Sequence, residues 1–186
     1  MRNIPFLTPL LFIASAVFAV PCYAEQETDD ADLGGFIAGP KWKESNAVIP
    51  DFPKQDDLLM VEVDKADSPF NYFIDTKNVS ISSDGGVIRY SVVIQSDSGA
   101  KNVIYEGIRC KTAEFRIYAF GSYDNKFVKA RTSEWKLIQN NAAMAHRYNL
   151  YTHYMCNEYQ THSSIDIVLQ KIRYPEHFEV SGERDD

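Results

Sequence analysis

Between Ile88 and Gly121 the chain carries three stretches of alternating apolar and polar residues, separated by spacers too short to cross a sheet. In the first, Ile88, Tyr90, Val92 and Ile94 fall on one face, opposite Arg89, Ser91 and Gln95. Ser96-Asp97-Ser98-Gly99 turns the chain into the second, 102–110, with Ile104, Glu106, Ile108 and Cys110 on one side and Val103, Tyr105, Gly107 and Arg109 on the other. The third, 113–121, sets Phe115, Ile117 and Ala119 against Glu114, Arg116, Tyr118 and Phe120. A parallel crossover needs roughly a dozen residues, so strands joined this tightly are antiparallel neighbours. The pattern dictates an antiparallel meander with one buried face and one largely wet.

Shorter apolar runs at 58–63, 72–75 and 79–82 precede it, bounded by Pro, Asp, Asn or Gly, and Asp84-Gly85-Gly86 suits a tight hairpin turn. Tyr123-Asp124-Asn125 turns the chain again before 127–128 and 135–138. The period then changes. Met144, Tyr148, Tyr151 and Met155 recur at helical spacing, with Asn140 or Asn141 as cap. Ile165, Val168, Leu169 and Ile172 form a second stripe, with Ser163 and Asp166 spaced like a capping box and Pro175 just past the end. Both stripes need an apolar partner. The expectation is a single α+β domain over 42–175, an antiparallel sheet meander with one or two C-terminal helices packed on one face.

The ends read differently. Arg2, an apolar run from Ile4 to Val20 and the small-x-small site Cys22-Tyr23-Ala24 describe a signal peptide over 1–24, with cleavage after Ala24 preferred to cleavage after Ala19. The run falls short of the ~20 residues of a spanning helix and contains Pro5 and Pro9, so no stable membrane span is expected. Pro21 directly before Cys22 argues against lipidation of that cysteine. Residues 25–41 carry five acids before any base and read as a mobile acidic arm, and 176–186 as a flexible tail. Pro40, Pro50 and Pro53 keep the lead-in extended. The formal charge of −7 offers no electrostatic footprint for nucleic acid or an anionic lipid surface.

Cys110 and Cys156 survive removal of the leader, and outside the cytosol such a pair is most simply a disulfide. It would tie the end of a central strand to the end of the first helix, stabilising the fold by roughly 4 kcal/mol through the loop it closes. Closely spaced redox cysteines would look different. His146, His153 and Cys156 make a weak zinc pattern, so no metal is expected and the histidines read as surface or edge residues.

A resemblance adds to this. Ile49-Pro50-Asp51-Phe52-Pro53, Phe73-Ile74-Asp75, Arg89-Tyr90, the run from Ser98 to Val103, Tyr105-Glu106-Gly107-Ile108-Arg109-Cys110, the run from Glu114 to Gly121, Arg131-Thr132-Ser133-Glu134-Trp135 and Tyr154-Met155-Cys156 resemble the cryptic neisserial protein family of small exported proteins of Gram-negative bacteria. The likeness spans roughly 45–157. It implies a periplasmic protein with a cysteine pair and brings no biochemical activity with it.

The candidate functional surface gathers Glu106, Arg109, Glu114, Arg116, Arg131, Ser133 and Trp135. Alternating acids and bases on neighbouring strands can be plain cross-strand ion pairs. Alternatively Arg109, Arg116, Arg131, Ser133 and Trp135 line a groove for an anionic or glycan ligand, since guanidinium forks and indole faces suit such groups. No G-x-S-x-G, H-E-x-x-H, Walker loop or dinucleotide fingerprint occurs, so neither catalytic residues nor a cofactor are expected. The function expected is a non-enzymatic periplasmic interaction or accessory protein that meets an envelope protein or glycan. The alternatives are a small envelope hydrolase, for which Glu106 and Glu114 would have to converge, or a binding protein for an anionic or glycan ligand.

Overall fold

The structure, a computed structural model, describes residues 42–63 and 69–175. The expected signal peptide, acidic arm and tail lie outside the described residues. The strands are β1 (Leu58–Val61), β2 (Asn71–Asp75), β3 (Ser80–Ile81), β4 (Ile88–Gln95), β5 (Lys101–Arg109), β6 (Glu114–Gly121), β7 (Phe127–Lys129) and β8 (Lys136–Leu137). They form one antiparallel sheet in the order β1-β2-β4-β5-β6-β7, with β3 paired to β4 and β8 paired to β6. Gly85 and Gly99 take positive φ in the two hairpin turns flanking β4, a conformation that costs a residue without Cβ little.

Helix α1 (Ala145–Asn149) runs on into a π-helical stretch, Leu150–Met155, and α2 (Ile165–Arg173) follows. Asn141 caps the turn that leads into α1, its side chain accepting from the Met144 amide at 3.1 Å. Ser164, one residue beyond the expected position, caps α2 by accepting from Ile167. The α2 stripe is as expected, with Val168 and Ile172 buried and Ile165 and Leu169 packed beside them. The stripe of the first helix is kept in part, with Met144 and Tyr151 packed against the same core. Met155 is buried, but the deepest places beside it go to Leu150 and Tyr154, which continue the i, i+4 face of the buried His146. These side chains close over Ile74, Ile88, Val92, Ile104 and Ile108 of the sheet. Each such fully buried side chain contributes roughly 1.5–3 kcal/mol. Cys110 and Cys156 are bonded, with Cα atoms 5.6 Å apart, so the sheet and the end of the π-helical stretch are covalently joined.

The expectation of a wet second face fails. Arg89 and Ser91, on the polar phase of β4, are 6% and 0% exposed. Segment 42–53, which has no regular secondary structure, crosses that face as a strap. Its Ala47 and Ile49 pack on Tyr105, Tyr118 and Ala119, and Phe52 meets Phe127. The phase of β6 also slips at a β-bulge opposite Tyr105 and Glu106. Ile117 pairs with Glu106 and Ala119 with Tyr105, so Ala119 lies on the strap face with Tyr118 rather than beside Phe115 and Ile117, and Phe120 returns to the helix face.

Candidate functional site

Two buried carboxylates organise the two faces of the sheet. Under the strap, Glu44 is fixed from three directions. Its Oε1 accepts from Arg89 Nη2 at 2.8 Å and from the Tyr118 hydroxyl, and its Oε2 from Arg116 Nη1 at 2.9 Å. Arg89 also donates to the Ser45 carbonyl at 2.6 Å, so one guanidinium of β4 holds both side chain and backbone of the strap. Burial opposes the charge on Arg89, but Glu44 and Tyr118 more than offset it and its pKa rises. Burial and then the Glu44 carboxylate push the Tyr118 phenol up, so it stays a donor.

From this anchor the expected residues spread outward. Arg116 Nε donates to Ser133 Oγ at 2.9 Å, and Ser133 donates to the Ile117 carbonyl at 2.6 Å, closing a gap in the outer edge of β6 between β7 and β8. The Arg116 guanidinium lies 5.9 Å from the Trp135 ring, and Trp135 meets Trp42 edge-on at 6.0 Å. Trp42 in turn carries the Arg109 guanidinium at 3.9 Å, and Arg109 reaches Glu114 at 3.7 Å. Arg109, Arg116, Ser133 and Trp135 are thus brought into one chain of contacts through the strap. Arg131 is not part of it. It is exposed and lines a separate depression of about 420 Å³ on the helix face, beside Phe115, Ile117, Phe120 and Val128. The groove along the strap, about 610 Å³, is lined by Glu44, Ser45, Arg116, Tyr118, Lys129 and Ser133 among others, so Lys129 joins Arg116 as a cation there.

On the helix face Glu106 is fully buried. Its Oε1 accepts from the Tyr90 hydroxyl at 2.8 Å, and Arg147 reaches it through Nε and Nη2 at 2.9 and 2.7 Å. The Arg147 guanidinium lies over the Phe115 ring at 4.2 Å. Burial alone would raise the Glu106 pKa, but the Arg147 charge, and after it the close approach of the His146 ring nitrogen, hold it down to about 2. His146, read from sequence as a surface or edge residue, is 3% exposed, stacks on Tyr72 at 4.9 Å and places Nε2 3.3 Å from Glu106. Burial lowers its pKa, so the ring is neutral at pH 7.

Glu106 and Glu114 therefore do not converge. Glu106 faces the helix, while Glu114 pairs with Arg109 on the strap side and accepts from Thr112 at 2.5 Å. Sequence reasoning missed Glu44, Arg89, Tyr118 and Arg147. An acid in the apolar phase of β5 was a usable sign of a buried pair, whereas Glu44 sits in an aperiodic lead-in with no pattern around it. Among the described residues no group of three or more His, Cys, Asp or Glu side chains could hold a metal ion, and no helix is long and apolar enough to cross a membrane.

The sequence matches the CNP1-like family over residues 37–173, which extends the 45–157 stretch to include the whole strap and α2. No curated protein matches the chain, and no solved structure does.

Proposed function

The chain belongs to the CNP1-like family, and on that premise we propose that it is a non-enzymatic interaction or accessory protein of the cell envelope, exported to the periplasm and docking an envelope partner at the strap groove. The observation that carries this reading is the mutual neutralisation of the ionisable groups at the centre. Glu44 is committed to Arg89, Arg116 and Tyr118, and Glu106 to Arg147 and Tyr90. A general acid or base has to reach a reacting atom. Glu106 is sealed under α1, and Glu114 is held by Arg109 and Thr112. What the groove offers outward is Lys129, the partly exposed edge of Arg116 and the neighbouring Trp135, a rim suited to anionic or sugar groups. Export is supported by the signal-peptide pattern of 1–24 and by the Cys110–Cys156 bond, which persists in an oxidising compartment.

Capture from the native envelope, with Lys129→Glu/Trp135→Ala beside the natural sequence, tests the reading, and a thermal-shift series with envelope glycans and phosphates identifies the chemistry. A reproducible partner or ligand that the double variant loses is the expected result. Turnover of an envelope substrate, or equal capture by both proteins, overturns it. Intact mass measurement of native material should show an amino terminus at Glu25 and no alkylatable sulfur.

A further inference from the structure

A second cavity, of about 460 Å³, lies on the helix face where the start of α1 meets the ends of β2, β4 and β5. That volume falls within the roughly 300–1,000 Å³ of small-molecule sites. Its walls include Tyr72, Ile94, Ile104 and Ala143, and its polar lining includes His146, Arg147 and, at the rim, Lys101. Among the described residues no acidic side chain lines it. Glu106 sits behind, bonded to Arg147 through Nε and Nη2, so among the described residues Nη1 of that guanidinium is uncommitted. His146 lines the cavity too, while its Nε2 is buried 3.3 Å from Glu106 Oε1 without a hydrogen-bond partner, so the ring is free to turn or protonate when an anion arrives. A buried donor or acceptor without a partner is costly, and native folds rarely leave one unless a ligand or water satisfies it. Lys101 donates to the neutral Gln55 at 2.7 Å, and among the described residues no acid forms an ion pair with it.

Apolar walls, two buried cationic or protonatable side chains with spare capacity, and a basic rim together select an anion with a hydrocarbon body. We propose that this cavity binds a medium-chain carboxylate, its chain against Tyr72, Ile94 and Ile104 and its carboxylate against Arg147 Nη1 and His146. This site is separate from the strap groove and stands or falls independently of it. The groups around His146 are Glu106 of β5, Arg147 of its own helix, Tyr72 of β2, Tyr90 of β4 and Lys101 at the rim. An anion placed there favours the imidazolium, so binding takes up a proton and tightens as pH falls from 7 towards 6.

Calorimetric titration of the full mature chain with decanoate is the test, with decanol and acetate as probes lacking the charge or the chain. Saturable binding of one equivalent of decanoate is expected, at least about tenfold tighter than either probe, with a heat that depends on the buffer's ionisation enthalpy. Ala143→Trp, an exposed wall residue, fills the cavity and should abolish binding without lowering Tm, and Lys101→Glu should weaken it several-fold. No saturable binding, decanol binding as well as decanoate, or unchanged affinity in a folded Ala143→Trp protein would each overturn the proposal.

Discussion

Glu44 and Glu106 occupy opposite faces of one sheet, and each collects arginine and tyrosine donors, but they are held in opposite senses. Glu106 is placed by its strand. The β4–β5 ladder sets Tyr90 directly across from it, and the disulfide fixes the far end of the helical segment that brings Arg147. Glu44 belongs to a segment with no ladder at all, so its side chain positions the backbone rather than the reverse. The comparison teaches that the same buried carboxylate can be a consequence of folding on one face and a fastener on the other.

Four measurements break or sharpen that contrast. The largest effect is expected from Arg147→Leu, which strands a buried Glu106 charge and should cost about 3–5 kcal/mol in urea denaturation. The double variant Glu106→Leu/Arg147→Leu should recover most of that loss, because removing both charges removes the desolvation problem. Glu44→Ala should cost less, about 1–3 kcal/mol, because the strap can lift and let water reach Arg89. Hydrogen exchange should then quicken in 42–53 while β4 and β5 stay protected; uniform loss of protection would erase the distinction.

Acid should act on the helix face in two windows. His146 has a folded pKa below its ordinary 6.5, so the unfolded chain takes up the proton first and stability starts to fall below about that pH. Glu106 has its pKa depressed to about 2 against an ordinary 4.5, so its contribution is complete above 4.5 and lost as pH falls through 2. A pH series of unfolding free energies should flatten in the upper window for His146→Gln and in the lower one for Glu106→Gln. The smallest effect belongs to Arg109→Ala, which removes the stack on Trp42 and the Glu114 contact at the end of the chain of rings, about 0.5–1 kcal/mol by thermal denaturation.

The sheet, its antiparallel pairing and the α2 stripe were legible because period-two and period-3.6 patterns record burial directly, as in Ile104 to Ile108 or Ile165 to Ile172. The strap was not, because an extended segment covering a sheet needs only scattered contacts, and Ala47 and Ile49 leave no period. Once the strap is present, Arg89 and Ser91 are buried despite sitting on the polar phase. Arg109 and Arg116 were legible as neighbours of one sheet face from the β5–β6 pairing, but it is Trp42 of the strap that links Arg109 to Trp135. Arg131 was misplaced because the chain leaves the edge of the sheet after Ala130, where alternation no longer tells which side a residue takes.

The bulge in β6 turns one residue into a marker. Tyr118 is the residue of that strand skipped between two consecutive partners on β5, and its hydroxyl reaches Glu44. A chain one position shorter at this point would keep every remaining pair in register and its inward and outward faces unchanged, yet would lack one of the three donors that hold Glu44. Chain length at this single position therefore decides whether Glu44 has a phenol beside its two guanidinium partners, with Arg89 and Arg116 left to hold the covering segment where it does not.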